Sequence, residues 1–422
     1  MPKYNYHDIL VMIILTFEVK KMESITVKKG QYIYEAGSIS ENIYRLVSGK
    51  IEISHNGNKN IIETGTFGEW IIAGAKCYDS AYTLTDCQIQ ILTPEDLNSL
   101  DSKENIYFEM FESLTKRLTF LDECISSQID QESAINTFKR FHPHHKLRTE
   151  SKFLDFFSKM KFLYNQENYQ QALNEVYAFK SDYIDYPLRD ELDIWKAIIT
   201  FHLDPEKAKH LYNTFDHAKY SKKLSFTYLK NLLENKNDTL LSLYEKYGIH
   251  VPPNTILIAE GENPNNEGYL LLDGGMKVGR YSGKKEVLLS IIQKGDFFGE
   301  AGMFNSNCRM ATVYTDVYCD VVKMSGEKLK SVISQFPALG MKMVKCQISR
   351  ITFLDELFKT VCINNKRERI TSIIDTYLEK FITVGITLNE FTSLTNCTQR
   401  EVLEIFSNRK IKIDSTGHIK TS

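Results

Sequence analysis

The stretch Gly295-Asp296-Phe297-Phe298-Gly299-Glu300-Ala301-Gly302-Met303-Phe304, followed by Cys308-Arg309-Met310-Ala311-Thr312, decides how the chain reads. Its glycines and small residues let backbone approach a ligand closely. Arg309 brings a planar fork of donors that suits a phosphate better than any other side chain. Glu300 would repel that phosphate, so it needs another task, and accepting a bond from a sugar hydroxyl is the obvious one. From these residues alone the stretch is a cradle for a small phosphate ester carrying a ribose. The competing reading is a tight turn in a β structure, with Arg309 in an ordinary surface ion pair. A strand rich in Val, Tyr and Thr is expected from Thr312 to Lys323.

Upstream, Val251 to Gly261, Tyr269 to Leu272, Met276 to Tyr281 and Val287 to Ile292 are β-prone pieces, with Asp273-Gly274-Gly275 and Ser282-Gly283 as turns between them. Such punctuation marks the arms of a small β-roll. Tyr318 to Met324 closes it. Gly326 to Phe336 and Leu339 to Leu357 then read as helical, with Met341, Val344, Ile348, Ile351 and Leu354 three and four apart, the pattern of one apolar helix face.

FGEAGMF…CRMAT resembles the phosphate-binding cassette of the cyclic-nucleotide-binding domain, the β-roll of catabolite-activator (FNR-type) regulators and of cyclic-nucleotide-dependent kinases and channels. The resemblance implies that Arg309 binds the cyclic phosphate and that Glu300 accepts the ribose 2′-hydroxyl, helped by the Gly299 backbone. It implies backbone contacts from Ala301 and Met310 near the phosphate, with Thr312 touching the base or packing beside it. Family members often carry Ser or Thr directly after the arginine, where it favours guanine. Met310 stands there, so cyclic AMP is expected ahead of cyclic GMP, and a cyclic dinucleotide stays open. The resemblance also makes helix 339–357 a cap on the pocket and a homodimer seam. The alternatives are a helix that covers only its own roll, or a tandem arrangement in which the first domain's helix replaces the partner's.

The first domain, 1–125, resembles the same fold. Ile25 to Val27, Tyr32 to Tyr34, Ile43 to Val47 and Ile51 to Ser54 are short strands divided by Gly30, Gly37, Gly49 and Gly57, and Glu104 to Cys124 is a long amphipathic helix. Thr66-Phe67-Gly68-Glu69 copies the first half of the cassette, but Cys77-Tyr78-Asp79-Ser80-Ala81-Tyr82 stands where the arginine belongs. An aspartate there would repel phosphate, and Trp70 is bulky. A degenerate pocket is expected, or one repurposed for a ligand without phosphate.

The middle, 126–245, is a helical spacer. Phe153 to Phe162, Tyr169 to Phe179, Arg189 to Phe201, Pro205 to Phe215 and Leu224 to Tyr247 have helical spacing. The starts at Asn168 and Pro205 resemble tetratricopeptide-like hairpins, a surface that could dock a protein partner. Phe141-His142-Pro143-His144-His145-Lys146 reads as a solvated basic loop, with a metal site as the alternative.

In the tail, 363–422, Arg367 to Phe381, Leu388 to Leu394 after the cap Thr387, and Gln399 to Ser407 are helices, and Asn396-Cys397-Thr398 is a turn. This resembles the winged helix-turn-helix of the same regulators. Ile411 to Ile413 and His418 to Lys420 would form the wing. Thr398, Gln399 and Arg400 are the candidate DNA contacts. Nine Lys/Arg stand against seven Asp/Glu in this tail, thin support for binding a polyanion.

The expected fold class is thus α+β multidomain: two β-rolls, a helical spacer and a winged-helix-like tail. At 422 residues several domains are needed, and a net charge of -2 excludes a wholesale polybasic protein. Eight cysteines without a C-x-x-C pair read as free thiols of a reducing cytoplasm. The apolar run Ile9 to Phe17 is far shorter than the ~20 residues of a membrane span. No paired carboxylates, metal cluster or activated nucleophile point to catalysis, so no cofactor is expected and the protein is read as a sensor, not an enzyme. Two functions follow: a cyclic-nucleotide-responsive transcription regulator that reads DNA as a dimer, or a nucleotide-responsive scaffold that binds proteins and not DNA.

Overall fold

The computed structural model describes residues 23–55, 58–93, 96–97, 106–125, 131–182, 188–236, 238–282, 285–304, 308–361, 363–383 and 385–421. The apolar run at 9–17, the turn at 56–57, Gly283 and Cys362 lie outside them. The chain divides into two compact units, Met1–Ser113 and Leu114–Ser422.

The first unit holds eight strands: β1 (Glu23–Val27), β2 (Tyr32–Tyr34), β3 (Ile43–Ser48), β4 (Ile51–His55), β5 (Asn58–Ile62), β6 (Gly65–Phe67), β7 (Ser80–Thr83) and β8 (Cys87–Leu92). They form two four-stranded sheets, β1-β8-β3-β6 and β2-β7-β4-β5. Alternate side chains turn inward, so Ile43, Ile51, Phe67, Ala81, Ile89 and Leu92 are fully buried. Gly49 joins β3 to β4 at φ +110, where a Cβ would lie 2.6 Å from Cys87 Sγ. The helix α1 (Ile106–Ile125) begins here, tied by Glu109 accepting from Arg45 at 2.6 Å and by Ser113 donating to the Thr66 carbonyl at 2.7 Å. From Leu114 onward α1 belongs to the second unit.

In the second unit α2 (Gln131–Phe141) is followed by the short β9 (Lys146–Leu147). The solvated loop expected at 142–146 forms only in part: Pro143, His144 and Lys146 are exposed, but His145 is buried. β9 pairs in parallel with β11 (Thr255–Ile258), and His145 is 5% exposed with Nε2 3.0 Å from Asp316. Phe138, Ile256, Ala259 and Tyr314 make the core that receives it. Aromatic packing therefore holds His142 and His145; among the described residues no group of three or more His, Cys, Asp or Glu could hold a metal.

The spacer helices are α3 (Lys152–Asn165), α4 (Tyr169–Asp182), α5 (Arg189–Leu203), α6 (Pro205–Thr214), α7 (His217–Tyr220), α8 (Leu224–Leu233) and α9 (Thr239–Tyr247). Asp204 caps α6 by accepting from the Lys207 amide at 3.0 Å, with Pro205 at the first helical position. The single helix expected over Leu224 to Tyr247 is broken. Asn235 takes φ +53, and Asp238 caps α9 through the Leu241 amide at 3.1 Å.

The second roll follows: β10 (Gly248–Val251), β11, β12 (Glu267–Asp273), β13 (Met276–Ser282), β14 (Lys285–Ile292), β15 (Phe297–Phe298), β16 (Thr312–Thr315) and β17 (Cys319–Ser325). Its sheets run β10-β17-β12-β15 and β14-β13-β16-β11-β9. The continuous strand expected from Thr312 to Lys323 splits into β16 and β17, which belong to different sheets. The chain crosses between them where Thr315 Oγ1 accepts from the Val317 amide at 3.1 Å. Buried His250 fastens spacer to roll, with Nδ1 2.5 Å from Asp320 and Nε2 accepting from Trp195 Nε1 at 2.7 Å.

The one-turn helix α10 (Ala301–Phe304) lies within the roll, between β15 and β16, and α11 (Gly326–Gln335) and α12 (Pro337–Val361) follow the roll. Val344, Ile348, Ile351 and Leu354 of the expected dimer stripe are buried within this chain. Gln347 Nε2, also buried, donates to Thr115 Oγ1 of α1 at 3.0 Å. A homodimer would thus need another face of α12. The tail comprises α13 (Lys366–Thr383), α14 (Leu388–Thr395), α15 (Gln399–Asn408) and the two-stranded β18 (Ile411–Ile413) and β19 (Ile419–Thr421). Buried Lys277 of β13 anchors it, with Nζ 2.8 Å from Glu390 Oε2, 2.8 Å from the Gly385 carbonyl and 2.6 Å from Asp316. The architecture is α+β, as the sequence implies.

Candidate functional site

The cassette folds as a turn and a one-turn helix between β15 and β16. Gly299 sits at φ +73, and a Cβ there would stand 3.0 Å from Ile258 Cδ1. Gly302 has no room for a side chain either: a Cβ would lie 2.6 Å from Pro264 Cβ and collide with the Arg309 guanidinium. The glycines therefore serve close approach of the backbone to Arg309 and its neighbours.

Gly299, Glu300, Ala301, Arg309 and Met310 line one hollow of about 60 Å³, together with Ile258, Phe298, Val278, Val313, Leu118 and Arg350. Arg309 is not in a surface ion pair. It is 7% exposed, and its guanidinium donates to the carbonyls of Gly299 (2.6 Å), Pro264 (2.8 Å) and Glu267 (2.8 Å). Burial pulls its pKa below the usual arginine value. Three neutral carbonyls fix the fork but do not neutralise it, so positive charge remains beside the cassette backbone.

Glu300 is 2% exposed. Its Oε1 accepts from Arg350 Nη1 at 2.8 Å, while Oε2 is buried without a hydrogen-bond partner. Such an acceptor is costly to leave unmade. Thr312 stands apart from the hollow, its hydroxyl accepting from the Glu260 amide at 3.2 Å.

Sequence reasoning missed Arg350 and Leu118. Arg350 lies on α12, far down the chain from Glu300, and also donates to the Phe297 carbonyl at 3.2 Å. Nothing in the cassette points to it; only its place on the helix expected to cap the pocket could have. Leu118 comes from α1, in the part of that helix that belongs to the second unit.

The first roll keeps the turn and changes the chemistry. Gly68 and Gly74 flank Glu69–Ala73 at φ 78 and 65. Trp70 is fully buried, and Asp79 Oδ1 accepts from Trp70 Nε1 at 3.1 Å and from the Tyr34 hydroxyl at 2.8 Å. Glu69, also buried, accepts from Thr66 Oγ1 at 2.7 Å. Asp79 is thus an internal acceptor.

In the tail, Thr398 caps α15, donating from Oγ1 to Glu401 Oε2 at 2.9 Å. Gln399 Nε2 donates to Asn389 at 2.7 Å, and Arg400 is exposed. Lys366, then Thr398, pulls the Glu401 carboxyl down to about 2. The three candidate contacts lie together at the start of one helix, two of them bonded within the tail.

Residues 24–104 and 249–336 match the cyclic nucleotide-binding domain family. The chain is 28% identical over 115 residues to the cAMP-activated global transcriptional regulator CRP of Pasteurella multocida, covering 25% of this chain and 55% of that protein. It is 28% identical over 104 residues to the CRP-like cAMP-activated global transcriptional regulator of Mycobacterium tuberculosis, covering 24% and 46%. The chain spans about half the length of the curated relatives it matches. Both are described as transcriptional regulators, in keeping with a non-catalytic reading. Among solved structures, the c-di-GMP responsive global regulator CLP of Xanthomonas campestris aligns at 16% identity over 42% of this chain and 94% of its own, TM-score 0.36. FixK2 of Bradyrhizobium japonicum aligns at 10% over 41% and 91%, TM-score 0.33. The similarity to CRP-type cyclic-nucleotide-binding regulators is weak and consistent. No described helix is long and apolar enough to cross a membrane.

Proposed function

We propose that this chain is a cyclic-nucleotide-responsive transcription regulator, with cyclic AMP bound in the second roll and DNA bound through the C-terminal helices. One observation carries the ligand reading: Arg309 and Glu300 line a single hollow, and one oxygen of the buried Glu300 carboxylate lacks a partner. The phosphate takes the charge of Arg309 and the cassette amides. The ribose 2′-hydroxyl donates to Glu300. Met310 gives no hydroxyl for guanine, which favours adenine.

At about 60 Å³ the hollow is small against the ~300 Å³ or more of typical small-ligand pockets. Entry must therefore part its walls. The movable ones are Arg350 and Leu118, which reach in from helices. A ribose on Glu300 competes with Arg350 for the same carboxylate, so the ligand favours a different placement of α12. Thr398, Gln399 and Arg400 at the start of α15 then read base edges.

Calorimetry of the whole chain with cyclic AMP, cyclic GMP and cyclic dinucleotides, repeated on Arg309→Ala, tests the sensor. One site per chain is expected, lost or severely weakened by the substitution; ligand uptake indifferent to Arg309 refutes it. Gel shifts on genomic fragments with and without nucleotide test the output, and no saturable DNA binding in either state refutes that half.

A further inference from the structure

A second hollow, of about 250 Å³, lies between the end of β14, the turn at Gln293–Asp296 and one face of α12. Its charged lining is Lys342, Lys345 and Arg350 against one carboxylate, Asp296. Asp296 is engaged in the turn, accepting from the Gln293 amide at 2.8 Å. Arg350 is bonded to Glu300 on its other side. Lys342 and Lys345 are exposed and have no ion-pair partner among the described residues. They sit one turn apart on a helix, where like charges repel. The first of them lies over the turn, with its ammonium end against Gly295, which has φ +92.

We propose that this groove is a second, separate site for a small phosphate-bearing molecule. Two ammonium groups can each share several acceptor oxygens, which a phosphoryl group offers in more directions than a carboxylate. The hydroxyls of Ser290 and Ser349 add donors, and Phe353 and Ile291 give an apolar wall. Strand, turn and helix enclose it on three sides, and its volume suits a small molecule better than a length of acidic chain. Arg350 lines both hollows. An anion in the groove attracts that guanidinium away from Glu300 and leaves the carboxylate for a sugar, so the two sites assist each other reciprocally. That coupling rests on the nucleotide reading; the groove itself does not.

The test is a pyrophosphate titration of the full chain at constant ionic strength, with chloride as the control, read as a shift in Tm. A saturable rise is expected for the wild type, with apparent affinity reduced at least tenfold in Lys342→Gln/Lys345→Gln. Both lysines are exposed, and circular dichroism with the Lys342→Gln single variant checks folding. Arg309→Ala should keep the pyrophosphate response and lose the cyclic AMP response; the lysine variant should do the reverse. No saturable response in the wild type, or an equal one in the double variant, overturns the groove. A lysine-dependent pyrophosphate response with no cyclic AMP response in any chain supports the groove and refutes the nucleotide reading.

Discussion

Replacing Glu300 by glutamine isolates the part of the pocket that would read a sugar. The wild-type carboxylate has one oxygen on Arg350 and one, Oε2, buried with no partner. A hydroxyl donating to that oxygen makes a charge-assisted bond worth roughly 1.5–3 kcal/mol. Removing the hydroxyl from the ligand should then weaken binding about 10- to 100-fold, since ~1.4 kcal/mol is a factor of ten. Calorimetry with cyclic AMP and 2′-deoxy cyclic AMP measures this ratio directly. In Glu300→Gln the shape is kept but the charge is lost, and a neutral bond contributes only about 0.5–1.5 kcal/mol. The ratio should fall to a few-fold. The comparison cancels any general loosening of the pocket, because both ligands meet the same variant. An identical ratio in the two proteins would refute the assignment of Glu300 to the ribose.

Four further outcomes are expected. Gly302→Ala forces a Cβ against Pro264 and the Arg309 guanidinium; an overpacking cost of about 1–3 kcal/mol should appear as roughly tenfold or greater loss of cyclic AMP affinity in calorimetry. Lys277→Met strands Glu390 without its cation and leaves Asp316 only His145, and should cost about 3–5 kcal/mol in denaturant unfolding, as for other broken buried pairs. Burial alone would raise the Asp316 carboxyl, but the bonds from His145 and Lys277 outweigh it and hold it well below 3.8. Its contribution to stability is therefore present above that pH and is lost as pH falls below it, which unfolding between pH 5 and pH 2 will show. Asp79→Leu removes the carboxylate that accepts from the Tyr34 hydroxyl and the Trp70 indole, at roughly 1.5–3 kcal/mol for each bond lost to a charged group, and should destabilise the first unit while calorimetry still finds one nucleotide site per chain.

What the sequence disclosed is what local chemistry encodes. The turn of the cassette was legible because Gly299, Gly302 and Arg309, which meet at close range in the fold, are also close in sequence. The tail helices were legible because Thr387 with Glu390, and Thr398 with Glu401, are S/T-x-x-E capping boxes that close as such. Residues matched by tertiary partners were not legible. Apolar and aromatic residues continue straight through Asp316 to Tyr318, so composition alone hid the change of sheet between β16 and β17. His145 looked solvated because Asp316 and Tyr314, which stand against it, arrive from another part of the chain. Arg350 carries no local mark, since a single arginine on a helix is ordinarily a solvated one. Lys277 and Glu390 likewise fall within a strand and a helix in the sequence; only the fold makes them an ion pair.

The register of β13 against β16 shows why ligand and tail share a structural element. Val278 pairs with Val313, and Lys277 with Tyr314. Successive side chains on a strand point to opposite faces. Val278 and Val313 accordingly line the hollow beside the cassette, while Lys277 and the Tyr314 hydroxyl, 2.6 Å from Glu390 Oε1, hold the tail. A ligand that presses on the two valines acts on the same two strands whose other faces carry Glu390. Glu390 is also the residue that closes the cap of α14 through the Thr387 amide at 2.7 Å. One carboxylate thus joins the start of a tail helix to the back wall of the hollow. A displacement there cannot reach Lys277 without also loading that cap.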